Sequence, residues 1–421
     1  MYCHLFRFIL FFLVIHLLFS CASKSAIQRP AVLTEKPAEP VTFFQQLTVK
    51  SNDKTVFEDN GNFILIEGSK CLQQDNGAEA AVIVQRIEMP EYVDQGTVAL
   101  SGWDLRFLQH DREIHSMRAD ITRSKLVKDN AATFLAFEAQ GKLNDQEYKD
   151  AFEFCVFYSA FGYRAATIDA MIEGDHDGIE TVVTQSENKG AVAVLEYKGD
   201  KGTLKGNETM TAIPRGFDFQ FSNSFECELR MVPCKWKDRV DHRLLQIAYN
   251  LSQTGSLPTL DGTPQWVAQT IFKANATQSY HAKTRAALIH GLSVKLRADF
   301  LALNPRMEKN DPCRKNSEGI VRTQNYRITD LPYDYAIPLL TGWELVNDCE
   351  HQKVQRAGIW LHDIRFDAKR ATMEYSLSSI LRDRDGSPGF SAAHRVTILG
   401  LNRIPSPSHQ VPLNILIREH E

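Results

Sequence analysis

The stretch Glu173-Gly174-Asp175-His176-Asp177-Gly178 places oxygen-bearing side chains at alternate positions ahead of a glycine. That is the spacing of the first half of a calcium loop, in which hard oxygen ligands surround a divalent cation. Glu173, Asp175 and Asp177 are therefore metal-ligand candidates. The closing position of such a loop, however, falls on Thr184 and not on the bidentate glutamate of an EF-hand. An acidic turn is the competing reading, because Asp-Gly favours tight turns. Asp383-Arg384-Asp385-Gly386 carries the same Asp-x-Asp-Gly and reads as a turn. His110 and His115 would point to opposite faces of a strand. His281 and His290 would sit on opposite sides of one helix. No Gly-x-Ser-x-Gly, P-loop, His-Glu-x-x-His or dinucleotide fingerprint occurs. These residues define no catalytic centre and call for no cofactor. Trp236, Trp266 and Trp360, with Tyr333 and Tyr335, are the aromatic side chains able to stack on a sugar or line a partner site, with core packing as the alternative.

Eight cysteines are present. Besides Cys3 and Cys21 they form an even set, Cys71, Cys155, Cys227, Cys234, Cys313 and Cys349. In an oxidising compartment an even set favours disulfides. The preferred pairings are Cys227–Cys234, Cys71–Cys155 and Cys313–Cys349. Zinc spacing is absent, since no CxxC pair exists. Hydrophobic residues make up 43% and charged residues 24% of the chain, which are ordinary globular values. The net charge of −4 and the lack of any lysine- or arginine-rich block leave no electrostatic footprint for nucleic acid.

Phe8 to Phe19 is an apolar run interrupted only by His16 and preceded by Arg7. As a helix it rises about 18 Å, well short of the ~30 Å hydrocarbon core, so a cleavable export signal fits better than a permanent span. The run ends in Leu18-Phe19-Ser20-Cys21-Ala22. This resembles the bacterial lipoprotein box, with leucine at −3, a small residue at −1 and cysteine as the first mature residue. The resemblance implies cleavage before Cys21, lipidation of its sulfur and anchoring in a membrane. Ala22 in place of aspartate resembles the outer-membrane sorting pattern.

The expected layout is a signal peptide (1–20), a proline-containing tether (21–40), a β-rich domain (41–225), a helical region (226–305), a polar linker (306–319) and a second β-rich domain (320–421). In 226–305, Val240, Leu244, Ile247, Ala248 and Leu251 recur at helical spacing. So do Ala282, Ile289, Leu292, Leu296, Phe300 and Leu303, ahead of Pro305. The fold class expected is α+β, with two related antiparallel sandwich-like domains flanking the helices.

The two β regions read as copies. Leu100-Ser101-Gly102-Trp103-Asp104-Leu105 matches Leu340-Thr341-Gly342-Trp343-Glu344-Leu345. Arg118-Ala119 answers Arg356-Ala357, Leu143-Asn144-Asp145 answers Leu381-Arg382-Asp383, and Gly162 answers Gly400. The order of a Gly-Trp strand, a charged turn, two further strands and an aromatic strand ending at Phe161-Gly162 resembles the H-type lectins. That family is a small antiparallel β-sandwich that oligomerises and binds sugars. Its Thr-x-Trp-x-Asp-Thr pattern is absent, and Asp145 and Asp383 stand nearest to its aspartate. The leading expectation is a non-enzymatic, membrane-anchored outer-membrane lipoprotein that binds glycan or another envelope component. A structural or assembly lipoprotein of an envelope complex and an envelope-polymer hydrolase remain alternatives.

Overall fold

Every described element of the chain is a β-strand. The computed structural model describes residues 53–404, except 77–78, 110–113, 130–131, 146–149, 178–180, 184–190, 197–207, 222–243, 254–264, 275–279, 304–320, 348–352 and 383–389. These residues belong to one compact unit, Leu47–Glu421.

After β1 (Lys54–Asp59) the strands fall into three repeats. The first holds β2 (Phe63–Gln74), β3 (Ala81–Met89), β4 (Gln95–Phe107), β5 (Ser116–Asp129), β6 (Ala132–Asn144) and β7 (Phe152–Tyr163). The second holds β8 (Met171–Asp177), β9 (Thr181–Val183), β10 (Ala191–Glu196), β11 (Thr209–Phe221), β12 (Leu244–Gln253), β13 (Gln265–Ala274) and β14 (Tyr280–Gly291). The third holds β15 (Val294–Leu303), β16 (Arg322–Ile328), β17 (Tyr335–Asn347), β18 (Arg356–Asp367), β19 (Thr372–Arg382) and β20 (Phe390–Leu401).

The α+β expectation is thus overturned, because the segment expected to be helical forms strands. In β12, Ile247, Tyr249 and Leu251 are buried while Ala248 and Asn250 are half-buried, a period of two. In β14, Ala282, Thr284 and Ala286 are buried between the half-buried His281, Lys283 and Arg285. The apparent helical stripe from Ala282 to Leu303 spans two strands joined by a turn at Leu292-Ser293. Alanine-rich composition favours helix locally, but pairing with strands distant in the chain overrides that preference.

Within each repeat the last strand pairs with the first and with a central strand: β7 with β2 and β4, β14 with β8 and β11, β20 with β15 and β17. The penultimate strand in turn pairs with two others: β6 with β3 and β5, β13 with β10 and β12, β19 with β16 and β18. Besides β1–β2 and β9–β14, the remaining pairs join different repeats. β4 pairs with β18, β11 with β5, and β17 with β12. These three cross-pairs close a ring with pseudo-threefold symmetry. The resulting sheets run β1-β2-β7-β4-β18-β19-β16 (sheet I), β10-β13-β12-β17-β20-β15 (sheet II) and β3-β6-β5-β11-β14-β8 (sheet III). Sheet I therefore draws strands from both of the β-rich stretches recognised in the sequence.

A bulge sits at the same place in each repeat, between Leu100 and Gly102, Pro214 and Gly216, and Leu340 and Gly342. After each bulge the next side chain points inward. Trp103, Phe217 and Trp343 meet one another there, with ring centroids 5.3, 5.1 and 5.0 Å apart. All three are buried. Burying a ring of this size contributes on the order of 4–6 kcal/mol before entropic costs. Gly216 illustrates why glycine is needed at the bulge. Its φ is 137°, and a Cβ there would strike the Ala119 carbonyl and Asp120 of the neighbouring strand.

Candidate functional site

The bulge glycines leave a hollow on the outer face of each sheet, and two side chains from the flanking strands stand over it. Their identity differs in each sheet. Over Gly102 stand Phe157 and Trp360, its register partners on β7 and β18. Their rings stack with centroids 4.9 Å apart and 10° between planes. Over Gly216 stand Arg285 and Asp120, joined as an ion pair at 2.9 Å. Asp120 also accepts from Arg118 Nε at 2.8 Å. Both hollows are closed by contacts of their own side chains.

The third hollow stays open. Over Gly342 stand Arg395 and Asn250. Asparagine carries no charge to hold the arginine, and no ion-pair partner of Arg395 occurs among the described residues. Asn250 Oδ1 is buried without a hydrogen-bond partner and lies 3.0 Å from where a Cβ on Gly342 would be. A cavity of about 210 Å³ results. Its polar wall is Asn250, Gln269, Glu344 and Arg395, and its apolar wall includes Ala248, Ile271 and Ala393. Glu344 accepts a hydrogen bond from Gln246. Strand alternation explains the composition. Ala248, Asn250, Glu344 and Arg395 face outward, whereas Tyr249, Trp343 and His394 between them are buried. Burial pushes the His394 imidazole down to about 4, so it stays neutral beneath the site near neutral pH. The arrangement offers a cationic fork of donors, an acceptor wanting a donor, a carboxylate and an apolar wall. Such a set can hydrogen-bond a polar ligand while packing against its apolar face.

The described side chains among those singled out in the sequence lie elsewhere. Tyr335 is buried, stacks on Phe63 at 4.5 Å and donates its hydroxyl to Asp59 Oδ2 at 2.5 Å. Tyr333 is partly buried against the core beside Gly400. Trp360 and Tyr335 belong to separate aromatic clusters. Trp266 lies in β13 with its side chain outside the described residues, and Trp236 is outside them altogether. Glu173 pairs with His290 Nε2 at 3.2 Å. Asp175 and Asp177 lie in β8, a strand and not a turn, and their side chains are outside the described residues. Among the described residues no three His, Cys, Asp or Glu side chains gather to hold a metal. Cys71 and Cys155 face each other across β2 and β7 and are joined as a disulfide. Cys21, Cys227, Cys234, Cys313 and Cys349 lie outside the described residues.

One hydrogen-bond chain has the elements of a hydrolytic triad. His362 bridges Asp363 Oδ2 and Ser378 Oγ, each at 2.8 Å. Ser378 is only 2% exposed and its hydroxyl also meets Thr323 Oγ1 at 2.8 Å. A nucleophile so enclosed offers no approach to a substrate carbonyl.

The chain matches no protein-family model, no curated protein and no solved structure. The functional reading therefore rests on internal comparison of the three repeats. Sequence reasoning missed Asn250, Glu344 and Arg395 as a site. The signal available was the triplet Gly342-Trp343-Glu344, whose counterparts are Gly102-Trp103-Asp104 and Gly216-Phe217-Asp218.

Proposed function

We propose that the protein is a lipid-anchored envelope lipoprotein, held in the outer membrane through Cys21, that binds glycan or another polyhydroxylated envelope component in the cavity above Gly342. The observation that carries the binding reading is the pairing of Arg395 and Asn250. At the two equivalent positions the flanking side chains satisfy each other, and here they leave donors and an acceptor facing one cavity. A buried acceptor without a donor is costly, and a ligand hydroxyl removes that cost. Ala248, Ile271 and Ala393 suit the apolar face of a sugar. The likeness of the Gly-Trp repeat unit to H-type lectins supports the same ligand class. The apolar run ahead of Leu18-Phe19-Ser20-Cys21 supports the anchor, and the acyl chains implied at Cys21 would make attachment stable.

Two measurements test this reading. Radiolabelled palmitate is expected in the wild-type chain and absent from a Cys21→Ser variant, which should leave the membrane fraction. Equal labelling or equal fractionation of the two would end the anchored reading. The chain from residue 22 is expected to bind a subset of arrayed envelope glycans, and Arg395→Gln should lose that subset. Binding unchanged in Arg395→Gln would sink the assignment to this cavity.

A further inference from the structure

Three arginines occupy one row across sheet I. Arg356 on β18 is the register partner of Arg106 on β4 and of Arg382 on β19. Register partners point to the same face of a sheet, about 5 Å apart at Cβ. Here it is the outer face, because the neighbouring Leu105, Ala357 and Leu381 are buried in the core. All three arginines are half-buried. Like charges directly opposite one another are destabilising, and two acids offset two of the three. Arg356 Nε donates to Asp104 Oδ1 at 2.9 Å and its Nη2 to Oδ2 at 2.5 Å. Arg106 Nη2 donates to Glu153 Oε2 at 2.8 Å. Arg382 has no such partner: its side chain makes no ion pair or hydrogen bond among the described residues. Its Nε is buried, while the end of the guanidinium stays accessible. Burial, together with Arg356 and Arg106, lowers the Arg382 guanidinium from its ordinary value, and Asp104 offsets this only in part.

The ring symmetry supplies a control. Counted from each bulge glycine, Arg106, Arg356 and Arg382 correspond to Gln220, Ser116 and Asn144 in sheet III. In sheet II they correspond to Val346, Gln246 and Lys273. The same strand pairings thus accept no charged residue at these positions in sheet III and one in sheet II. Pairing alone does not call for three guanidinium groups side by side in sheet I. Their repulsion is a cost that an anion on the row would remove.

We propose that this row binds a phosphate group, held by Arg382 together with the donors that Arg356 and Arg106 keep free. Arg356 and Arg106 spend their Nε and Nη2 or Nη2 donors on acids, and Nη1 of each carries no hydrogen bond among the described residues. The two carboxylates leave the row with one positive charge in excess. A carboxylate saturates a single guanidinium fork with its two oxygens, whereas a phosphate offers further oxygens to donors from several arginines. The group can belong to a small phosphate in solution or to a lipid headgroup, since both present the same oxygens. The row lies on sheet I, apart from the Gly342 cavity of sheet II, and does not depend on the glycan reading.

Isothermal titration of the full chain with inorganic phosphate, glycerol phosphate, the short-chain lipid dihexanoylphosphatidylglycerol and acetate tests the proposal. A phosphate compound is expected to bind, and acetate to bind at least about tenfold more weakly. Binding of inorganic phosphate or glycerol phosphate without the lipid assigns a free phosphate as the ligand, and binding of the lipid alone assigns a headgroup. Binding of all three assigns the phosphate group whatever carries it. Arg382→Asn, which installs the residue found at the equivalent position 144, should weaken binding at least about tenfold, the loss of a charge-assisted hydrogen bond. Its melting temperature without ligand should hold or rise, because a repelling charge is gone. Should Arg382→Asn fail to fold, Arg106→Gln, which copies position 220, reads the same row and should weaken binding severalfold. The proposal is overturned if no phosphate compound binds, if acetate binds as tightly, or if the variants bind phosphate as tightly as the wild type.

Discussion

Trp103 of the first repeat and Trp343 of the third meet edge to face at 5.1 Å, although they lie in different sheets and far apart in the chain. Phe217 of the second repeat completes the cluster. Each ring follows a bulge glycine, so one local motif used three times places three aromatic side chains on a common axis. No single repeat buries its ring alone, which ties the stability of each repeat to the closure of the ring.

Trp103→Ala removes the ring in contact with both others and should destabilise the protein by about 3–5 kcal/mol, the range for large-to-small aromatic core substitutions. Trp103→Phe copies the residue already present at 217 and should cost clearly less. Urea denaturation measures both. An alanine variant as stable as the wild type would show that the axis carries little of the stability.

Asn250→Asp should close the Gly342 cavity. It recreates the charge arrangement of Asp120 and Arg285, whose ion pair fills the equivalent hollow at 2.9 Å. Glycan binding is expected to fall by more than about tenfold, because a ligand must then displace a charge-assisted pair. Stability should hold or rise by up to roughly 1 kcal/mol, as for a partly exposed pair. Titration calorimetry and thermal melts separate the two effects.

His394 predicts an acid limb of stability. Its pKa is pushed from 6.5 to about 4 by burial, and its ring nitrogens have no hydrogen-bond partner. The folded state therefore resists protonation that the unfolded chain accepts. The stabilisation is complete above pH 6.5 and is lost as pH falls toward about 4, a change of roughly 3 kcal/mol. His394→Phe keeps the ring packed edge-on against Tyr326 and should flatten that part of the profile. Parallel slopes in wild type and variant between pH 6.5 and 4 would refute it.

The Cys71–Cys155 disulfide closes a loop with a sequence separation of 84. On the chain-entropy account a loop of that length contributes about 4–5 kcal/mol by restricting the unfolded chain. A Cys71→Ala/Cys155→Ala double variant should lose a comparable amount under non-reducing conditions. Under reducing conditions the wild type should match it. A wild type indifferent to reductant would contradict the bond's role.

Much of the first and third repeats was legible in the residues. The aromatic stretch ending at Phe161-Gly162 read as a strand, and Gly102-Trp103 against Gly342-Trp343 pointed to copying. Of the anchors, Leu143 with Leu381 and Gly162 with Gly400 hold in the strand registers. Arg118 does not answer Arg356, because the sheet registers set Ser116 opposite the position of Arg356. The second repeat was concealed. Its bulge carries Arg215-Gly216-Phe217, with no tryptophan, and its alanine-rich strands imitate a helical stripe.

The sequence by itself determined what is local: which stretches alternate, where glycine precedes an aromatic and an acid, and which cysteines are available to pair. The tertiary structure alone decided the ring, because the pairs β4–β18, β11–β5 and β17–β12 join strands from different repeats. It also decided the cavities. A glycine marks a hollow in any strand, but whether the hollow is filled depends on side chains supplied by neighbours remote in the chain. Trp360 closes one and Asp120 another, while Asn250 leaves the third open. Periodicity along a strand carries no information about its partner across the sheet, and in this fold the partner makes the site.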